Sequence, residues 1–248
     1  MGSQSKVPEG NIAKLFLEAV DTYKKPDALK FRKDGAWHSI SHDEFYSEVK
    51  RAALGLAALG VGPGDRVAIL SENRPEWLIS DFACVMLGAI SVPFYPVLPA
   101  DQVGYLLRDS ESKVILVSTA AQLRKLRELR DDTSSLEHVV SYDPPGDGEP
   151  GVTSFDELLA LGGDAEADIS DDEYRERALA TDPHHVLTII YTSGTTGRPK
   201  GAMLTHNNLY TNVRSILQVF DIGPSDTTLS VLPLCHIFER MAGSYTMV

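Results

Sequence analysis

The chain has 248 residues, of which 43% are hydrophobic and 23% charged, and its formal net charge is −12 at pH 7. Such a composition suits a soluble globular protein of one large or two small domains, and the acidic balance argues against nucleic acid or an anionic membrane as the main partner. Cys84 and Cys235, each among apolar neighbours, are too few for a disulfide framework and fit a reducing, cytoplasmic setting.

The first ten residues are polar and hold no basic-then-apolar leader. Asn11 to Lys25 has the spacing of an amphipathic helix, with Ile12, Leu15, Phe16 and Ala19 on one face and Pro26 as its stop. Ala28 to Arg32 and Ala36 to Ile40 flank Lys33-Asp-Gly35, a hairpin signal. Ser41-His-Asp-Glu44 has capping-box spacing and opens a helix towards Gly60. Arg66 to Leu70 is a short strand. A helix is expected from about Asn73 with Pro75 in its first turn, then a strand over Ser91 to Tyr95, a helix from Ala100 and a buried strand over Lys113 to Ser118. Trp77 to Leu98 carries one charge, Asp81, but Gly88, Pro93 and Pro96 divide it into a buried helix and a buried strand. A membrane span would need about twenty uninterrupted apolar residues.

Glu137 to Tyr142 is strand-like, and Asp143 to Gly151 is a loop by composition. Gly162 to Glu176 is an acidic, solvated stretch in which Ser170-Asp-Asp-Glu173 offers a helix start. Apolar strands alternating with helices predict an α/β fold, a mostly parallel sheet with helices on both faces.

The densest chemistry lies in Tyr191-Thr-Ser-Gly-Thr-Thr-Gly-Arg-Pro-Lys-Gly201, between the strand-like Val186 to Ile190 and a stretch with helical character. Glycines let backbone N–H groups approach an anion, hydroxyls donate to phosphate oxygens, and a lysine adds a point charge. The run is not a Walker A motif, because Pro199 precedes Lys200 and Gly201 follows it. Gly60-Val-Gly62-Pro-Gly64-Asp65 breaks the spacing of a dinucleotide fingerprint.

The run resembles the phosphate loop of the adenylate-forming superfamily, which includes acyl-CoA synthetases, luciferases and the adenylation domains of peptide synthetases. Asn73-Arg-Pro-Glu-Trp77, Gly88 to Pro96, Asp109-Ser-Glu-Ser-Lys113, Gly201 to Leu209 and Leu232-Pro-Leu-Cys-His-Ile-Phe-Glu-Arg240 are similar to segments of its long-chain fatty acyl-CoA synthetases. The resemblance implies ATP-dependent activation of a fatty acid to an acyl-adenylate and then to acyl-CoA, with ATP, Mg2+ and coenzyme A as cofactors or co-substrates. It implies phosphate contacts from Thr192, Ser193, Gly194, Thr195, Thr196 and Gly197. Lys200 would be a catalytic cation and His236 a group beside the acyl carboxylate. The family's downstream glutamate and aspartate motifs and its small carboxy-terminal domain with a catalytic lysine find no match here. Residues 1–248 therefore look like a truncated N-terminal AMP-binding domain, incomplete for turnover and without protein ligands for magnesium. Two other readings stay open: a non-catalytic nucleotide-binding or interaction module, and an adenylating enzyme with a different acceptor. Small molecules are the expected partners. Peripheral membrane contact and oligomeric state are left open.

Other reactive residues invite plainer readings. His184 and His185 suit a solvated turn, and His206 beside Thr205 suits helix capping. Cys84 and Cys235 lack a neighbouring base. Phe238 suits a core or tunnel wall, Arg198 faces solvent, and Glu239 and Arg240, being adjacent, pair elsewhere rather than with each other.

Overall fold

A computed structural model of the chain describes residues 7–129, 134–146, 150–192 and 197–246. Helix α1 (Ile12–Tyr23) starts at Asn11, whose side-chain oxygen accepts from the Lys14 N–H. The antiparallel pair β1 (Leu29–Lys33) and β2 (Ala36–Ile40) turns through Asp34 and Gly35 at φ 51° and 80°. Two successive positive φ values make a primed turn, whose twist matches that of the strands. Ser41 then caps α2 (His42–Ala58) in a complete box with Glu44. After these come β3 (Arg66–Leu70), α3 (Pro75–Leu87), β4 (Ile90–Phe94), α4 (Ala100–Ser110), β5 (Val114–Val117), α5 (Ala120–Arg127), β6 (His138–Ser141) and β7 (Val152–Ser154). The order continues with α6 (Phe155–Ala165), α7 (Asp171–Leu179), β8 (Val186–Thr192), β9 (Lys200–Thr205) and α8 (His206–Val219), and a π-helical turn spans Glu239–Tyr245.

Seven strands form the main sheet in the order β7–β6–β5–β3–β4–β8–β9. Every neighbouring pair is parallel except β8–β9. The two-residue pleat sorts the strand side chains between two cores. Val67, Ile69, Val114, Leu116 and Val140 join α1, α2, α3, α6, α7 and α8 on one face. Ala68, Leu70, Ile115, Val117 and Val139 join α4 and α5 on the other. The α/β architecture is thus the expected one, with apolar runs buried on both faces of a parallel sheet. Among the described residues, no helix is long and apolar enough to cross a membrane.

One local expectation fails. The segment after the phosphate-loop run is not helical: Lys200 to Thr205 forms the antiparallel strand β9, and the helix begins only at His206. The loop is therefore the connection of a β-hairpin, and α8 starts only beyond β9. Strand β9 is a mostly exposed edge strand containing Gly201 and Ala202, so pairing with β8 rather than intrinsic propensity holds it extended.

Candidate active site

Thr192 and Lys200 face each other as the last ladder pair of the hairpin, so they stand at the neck of the loop between them. Ser193, Gly194, Thr195 and Thr196 lie outside the described residues. Thr192, Gly197 and Lys200 are exposed. Gly197 sits at φ 100° with nothing within 4 Å of where a Cβ would stand, a backbone state that disfavours any side chain. Strand β8 runs parallel to β4 and so points its carboxyl end, and this neck, to the edge where β3, β4 and β5 also end. Ligands of open α/β sheets collect along that edge.

The His236 segment reaches the same edge through Asn73, which follows β3. The Asn73 amide donates to Ser230 Oγ at 3.1 Å and to the Leu232 carbonyl at 2.7 Å. Its oxygen accepts from the Leu234 N–H at 2.9 Å. Leu234 and Cys235 are buried, while His236 is exposed. His236 Nδ1 accepts from the Phe238 N–H at 3.3 Å, which leaves Nε2 as the nitrogen able to meet a ligand. Phe238 is 56% exposed, so it is not a core residue. Lys200 and His236 thus share one rim of the sheet without a hydrogen bond or ion pair between them among the described residues.

Beyond His236 the chain is fastened by Arg240, which is fully buried. Its guanidinium donates to both oxygens of Asp81 on α3, to Thr188 Oγ1 on β8 and to Ser91 Oγ on β4. A lone carboxylate in an apolar run needs a buried partner, so Asp81 was the sequence signal for this network. Asn73 and Arg240, to which the sequence reading assigned no role, are the residues that place the His236 segment. The expected pairing of Arg240 away from Glu239 holds.

The remaining candidates are structural. His184 is exposed, and His185 Nε2 lies 3.2 Å from the Gly88 carbonyl. His206 is buried and does cap a helix, but not its own: its Nδ1 accepts from the Ile12 N–H at the start of α1, while Thr205 and Asn208 cap α8. Burial depresses the His206 pKa to about 3, helped by the nearby His185 and Arg240 charges. Burial pushes the Cys84 thiol up and that of Cys235 up to about 12, so neither is poised as a nucleophile. No group of three or more His, Cys, Asp or Glu among the described residues could hold a metal ion.

The fold is shared with solved structures. The anthranilate CoA ligase AuaEII in complex with anthranoyl-AMP matches with a TM-score of 0.80 at 23% identity, over 99% of this chain and 45% of that one. A long-chain-fatty-acid-CoA ligase (FadD1) from Archaeoglobus fulgidus matches with a TM-score of 0.78 at 24% identity, over 97% and 46%. In sequence, the long-chain-fatty-acid–CoA ligase FadD15 of Mycobacterium bovis is 36% identical over 235 residues, 93% of this chain and 37% of that protein. The long-chain-fatty-acid–CoA ligase ACSBG1 of Rattus norvegicus is 33% identical over 245 residues, 95% and 33%. The chain thus spans about a third of the length of the curated relatives it matches. The family model for the AMP-binding enzyme matches residues 16–248, and on that match the chain belongs to the AMP-binding enzyme family.

Proposed function

We propose that this chain is the N-terminal part of the adenylation domain of an AMP-forming ligase that activates a long-chain fatty acid with ATP and passes the acyl group to coenzyme A. The observation that carries this reading is the hairpin neck, where Thr192 and Lys200 are paired and exposed at the carboxyl edge of the sheet. The identity with long-chain ligases supports the substrate class. The site of action would be cytoplasmic, with contact at a membrane surface where long acyl chains are found.

ATP, when bound, supplies an adenylyl group whose transfer to a carboxylate releases pyrophosphate and leaves the acyl carbon open to a thiol. This chain's part is to position and to stabilise charge. The hydroxyls and amides of Thr192, Ser193, Gly194, Thr195, Thr196 and Gly197 cradle the β- and γ-phosphates. The Lys200 ammonium neutralises charge developing on the pyrophosphate. His236, through Nε2, orients the fatty-acid carboxylate.

The test is fatty-acid-dependent ATP–pyrophosphate exchange by the protein that carries this chain. Lys200→Ala is expected to lower exchange by at least about tenfold, the loss of one charge-assisted contact to the pyrophosphate, with an unchanged melting temperature. Exchange at the wild-type level would remove Lys200 from the mechanism.

A further inference from the structure

The two limbs of the phosphate loop are tied to a single helix. Tyr191, the residue before Thr192 in β8, donates from its hydroxyl to Asp109 Oδ2 on α4 at 2.7 Å. Pro199, the residue before Lys200, accepts at its carbonyl from the Tyr105 hydroxyl of the same helix at 3.1 Å. Tyr105 and Asp109 are four residues apart on α4 and so share a face. Their own side chains lie 3.4 Å apart, Tyr105 Oη to Asp109 Oδ1. The Arg198 guanidinium lies over the Tyr105 ring at 5.7 Å. A cavity of about 690 Å3 opens here, lined by Tyr105, Asp109, Gly197, Arg198 and Pro199 among others.

The Tyr105 and Tyr191 rings pack against the α4–α5 core, but the two hydrogen bonds lie at its margin. Asp109 is exposed, and Tyr105, Tyr191 and Pro199 are only half-buried. Contacts of this kind add little to global stability, yet they decide where a surface segment rests. One bond lies on each side of the loop, next to Thr192 and next to Lys200. Losing either frees one limb while leaving the β8–β9 ladder in place.

Resting on the nucleotide-binding reading above, we propose that Tyr105 and Asp109 are positioning residues for the triphosphate. They fix both limbs of the loop on α4, so that the Thr192 hydroxyl, the Gly197 amide and the Lys200 ammonium are held where the phosphates arrive. The ligand class is a nucleoside triphosphate. The fatty acid is not touched by the device.

The test compares Asp109→Ala, Asp109→Asn, Tyr105→Phe and Tyr191→Phe in the protein that carries this chain. Asp109→Ala, Tyr105→Phe and Tyr191→Phe are expected to raise KM for ATP about five- to tenfold, as for one lost hydrogen bond in a binding site. KM for the fatty acid and kcat stay within about twofold of wild type, since uniform binding is what is lost. Asp109→Asn keeps an acceptor oxygen for the Tyr191 hydroxyl and behaves close to wild type. Amide hydrogen exchange over residues 197–203, measured without ligand, speeds up in Asp109→Ala and in Tyr105→Phe while exchange in β3 and β5 does not. An ATP KM that no variant changes would overturn the proposal, as would ATP and fatty-acid KM values rising together, or faster exchange spread over the whole sheet. A wild-type protein inert with ATP strikes down the nucleotide reading, and this proposal with it, before any variant is compared. An active wild type with indifferent variants strikes down the proposal alone.

Discussion

The guanidinium of Arg240 grips the carboxylate of Asp81 with two hydrogen bonds, Nε to Oδ2 at 2.8 Å and Nη2 to Oδ1 at 2.6 Å, and both side chains are wholly shielded from solvent. The Tyr245 hydroxyl donates to Asp81 Oδ2 at 2.7 Å and accepts from Arg240 Nε at 3.0 Å. Thr188 Oγ1 and Ser91 Oγ accept two further guanidinium protons. One buried cation thus binds α3, the adjacent strands β4 and β8, and the turn that follows His236. A fully satisfied buried network specifies a unique arrangement, whereas a broken one leaves a charge without water.

Removing either partner should therefore be far more damaging than removing both. Arg240→Met strands Asp81 in the core and is expected to cost about 3–5 kcal/mol. Asp81→Leu does the same to Arg240. The double variant should recover much of the loss, because two apolar groups replace two charges. Urea unfolding of the single and double variants measures it, provided the m-value is unchanged. Single-variant costs below about 1 kcal/mol would mean that water or another ion reaches the pair.

Close approach of two helices rests on two glycines. A Cβ at Gly55 of α2 would stand 2.2 Å from the Leu158 carbonyl oxygen, and one at Gly162 of α6 would stand 1.8 Å from the Arg51 carbonyl oxygen. Each helix thus offers a glycine to the other's backbone, which cannot give way as a side-chain tip could. Gly55→Ala and Gly162→Ala are each expected to cost at least about 2 kcal/mol through overpacking. Gly163, next along α6, has nothing within 4 Å of its missing Cβ. Gly163→Ala should therefore stabilise, by up to about 1 kcal/mol of helix propensity. Thermal melts of the three variants decide it, and equal effects at 162 and 163 would contradict the packing argument.

Much of this architecture was legible because local signals agreed with the fold. Ser41 and Ser170 cap helices where the sequence places them, Asn11 caps the helix expected from that residue onward, and the Lys33-Asp-Gly35 turn closes its hairpin. Ser154-Phe-Asp-Glu157 carries the same capping box as Ser41 to Glu44, and it starts α6, a helix the sequence reading passed over although its signal was there. Helix α5 has no side-chain cap and β7 is three residues long, so neither offered a comparable mark. Strand β9 was missed for a different reason, since Lys200-Gly-Ala-Met lacks β-branched residues and only the ladder to β8 extends it. At the site, types of residue could be assigned from chemistry, but contacts between distant segments could not. Asn73 to Leu234, Arg240 to Asp81 and Tyr105 to Pro199 are each more than ninety positions apart. Sequence spacing carries no information about such pairs.

His206 should make the fold acid-sensitive in a defined window. It is neutral in the folded chain, with a pKa depressed by burial to about 3, against about 6.5 when unfolded. As pH falls, the unfolded chain takes up the proton first. The stability that neutral His206 contributes is therefore complete above about pH 6.5 and is lost progressively as pH falls towards 3. Buried His42, whose Nδ1 accepts from the Lys25 N–H, is shifted the same way, mainly by burial. Urea midpoints should fall between pH 7.5 and pH 5, a range in which ordinary carboxylates stay mostly ionised. His206→Gln keeps an acceptor for the Ile12 N–H and removes the titration, so its midpoint should depend less on pH. An identical pH slope in that variant would show that His206 is not the sensor.

Asn73 offers the sharpest separation of placement from chemistry. Its amide makes three bonds to the backbone and side chains of residues 230–234, and none of its hydrogen bonds among the described residues goes to the phosphate-loop hairpin. Asn73→Ala leaves the Leu234 N–H and the Leu232 carbonyl without these partners, at a cost of about 1–3 kcal/mol if water cannot replace them. The effect should be local, since Leu234 and Cys235 are pinned beside Asn73 while His236 projects outward. Amide exchange is expected to quicken over residues 230–238 and to stay unchanged over β8 and β9. In the protein that carries this chain, KM for the fatty acid should rise while KM for ATP holds. Asn73→Asp keeps the acceptor for Leu234 but loses both donors, and should fall between wild type and Asn73→Ala. A rise in ATP KM equal to that for the fatty acid would show that the phosphate-loop hairpin and the His236 segment are not independently anchored.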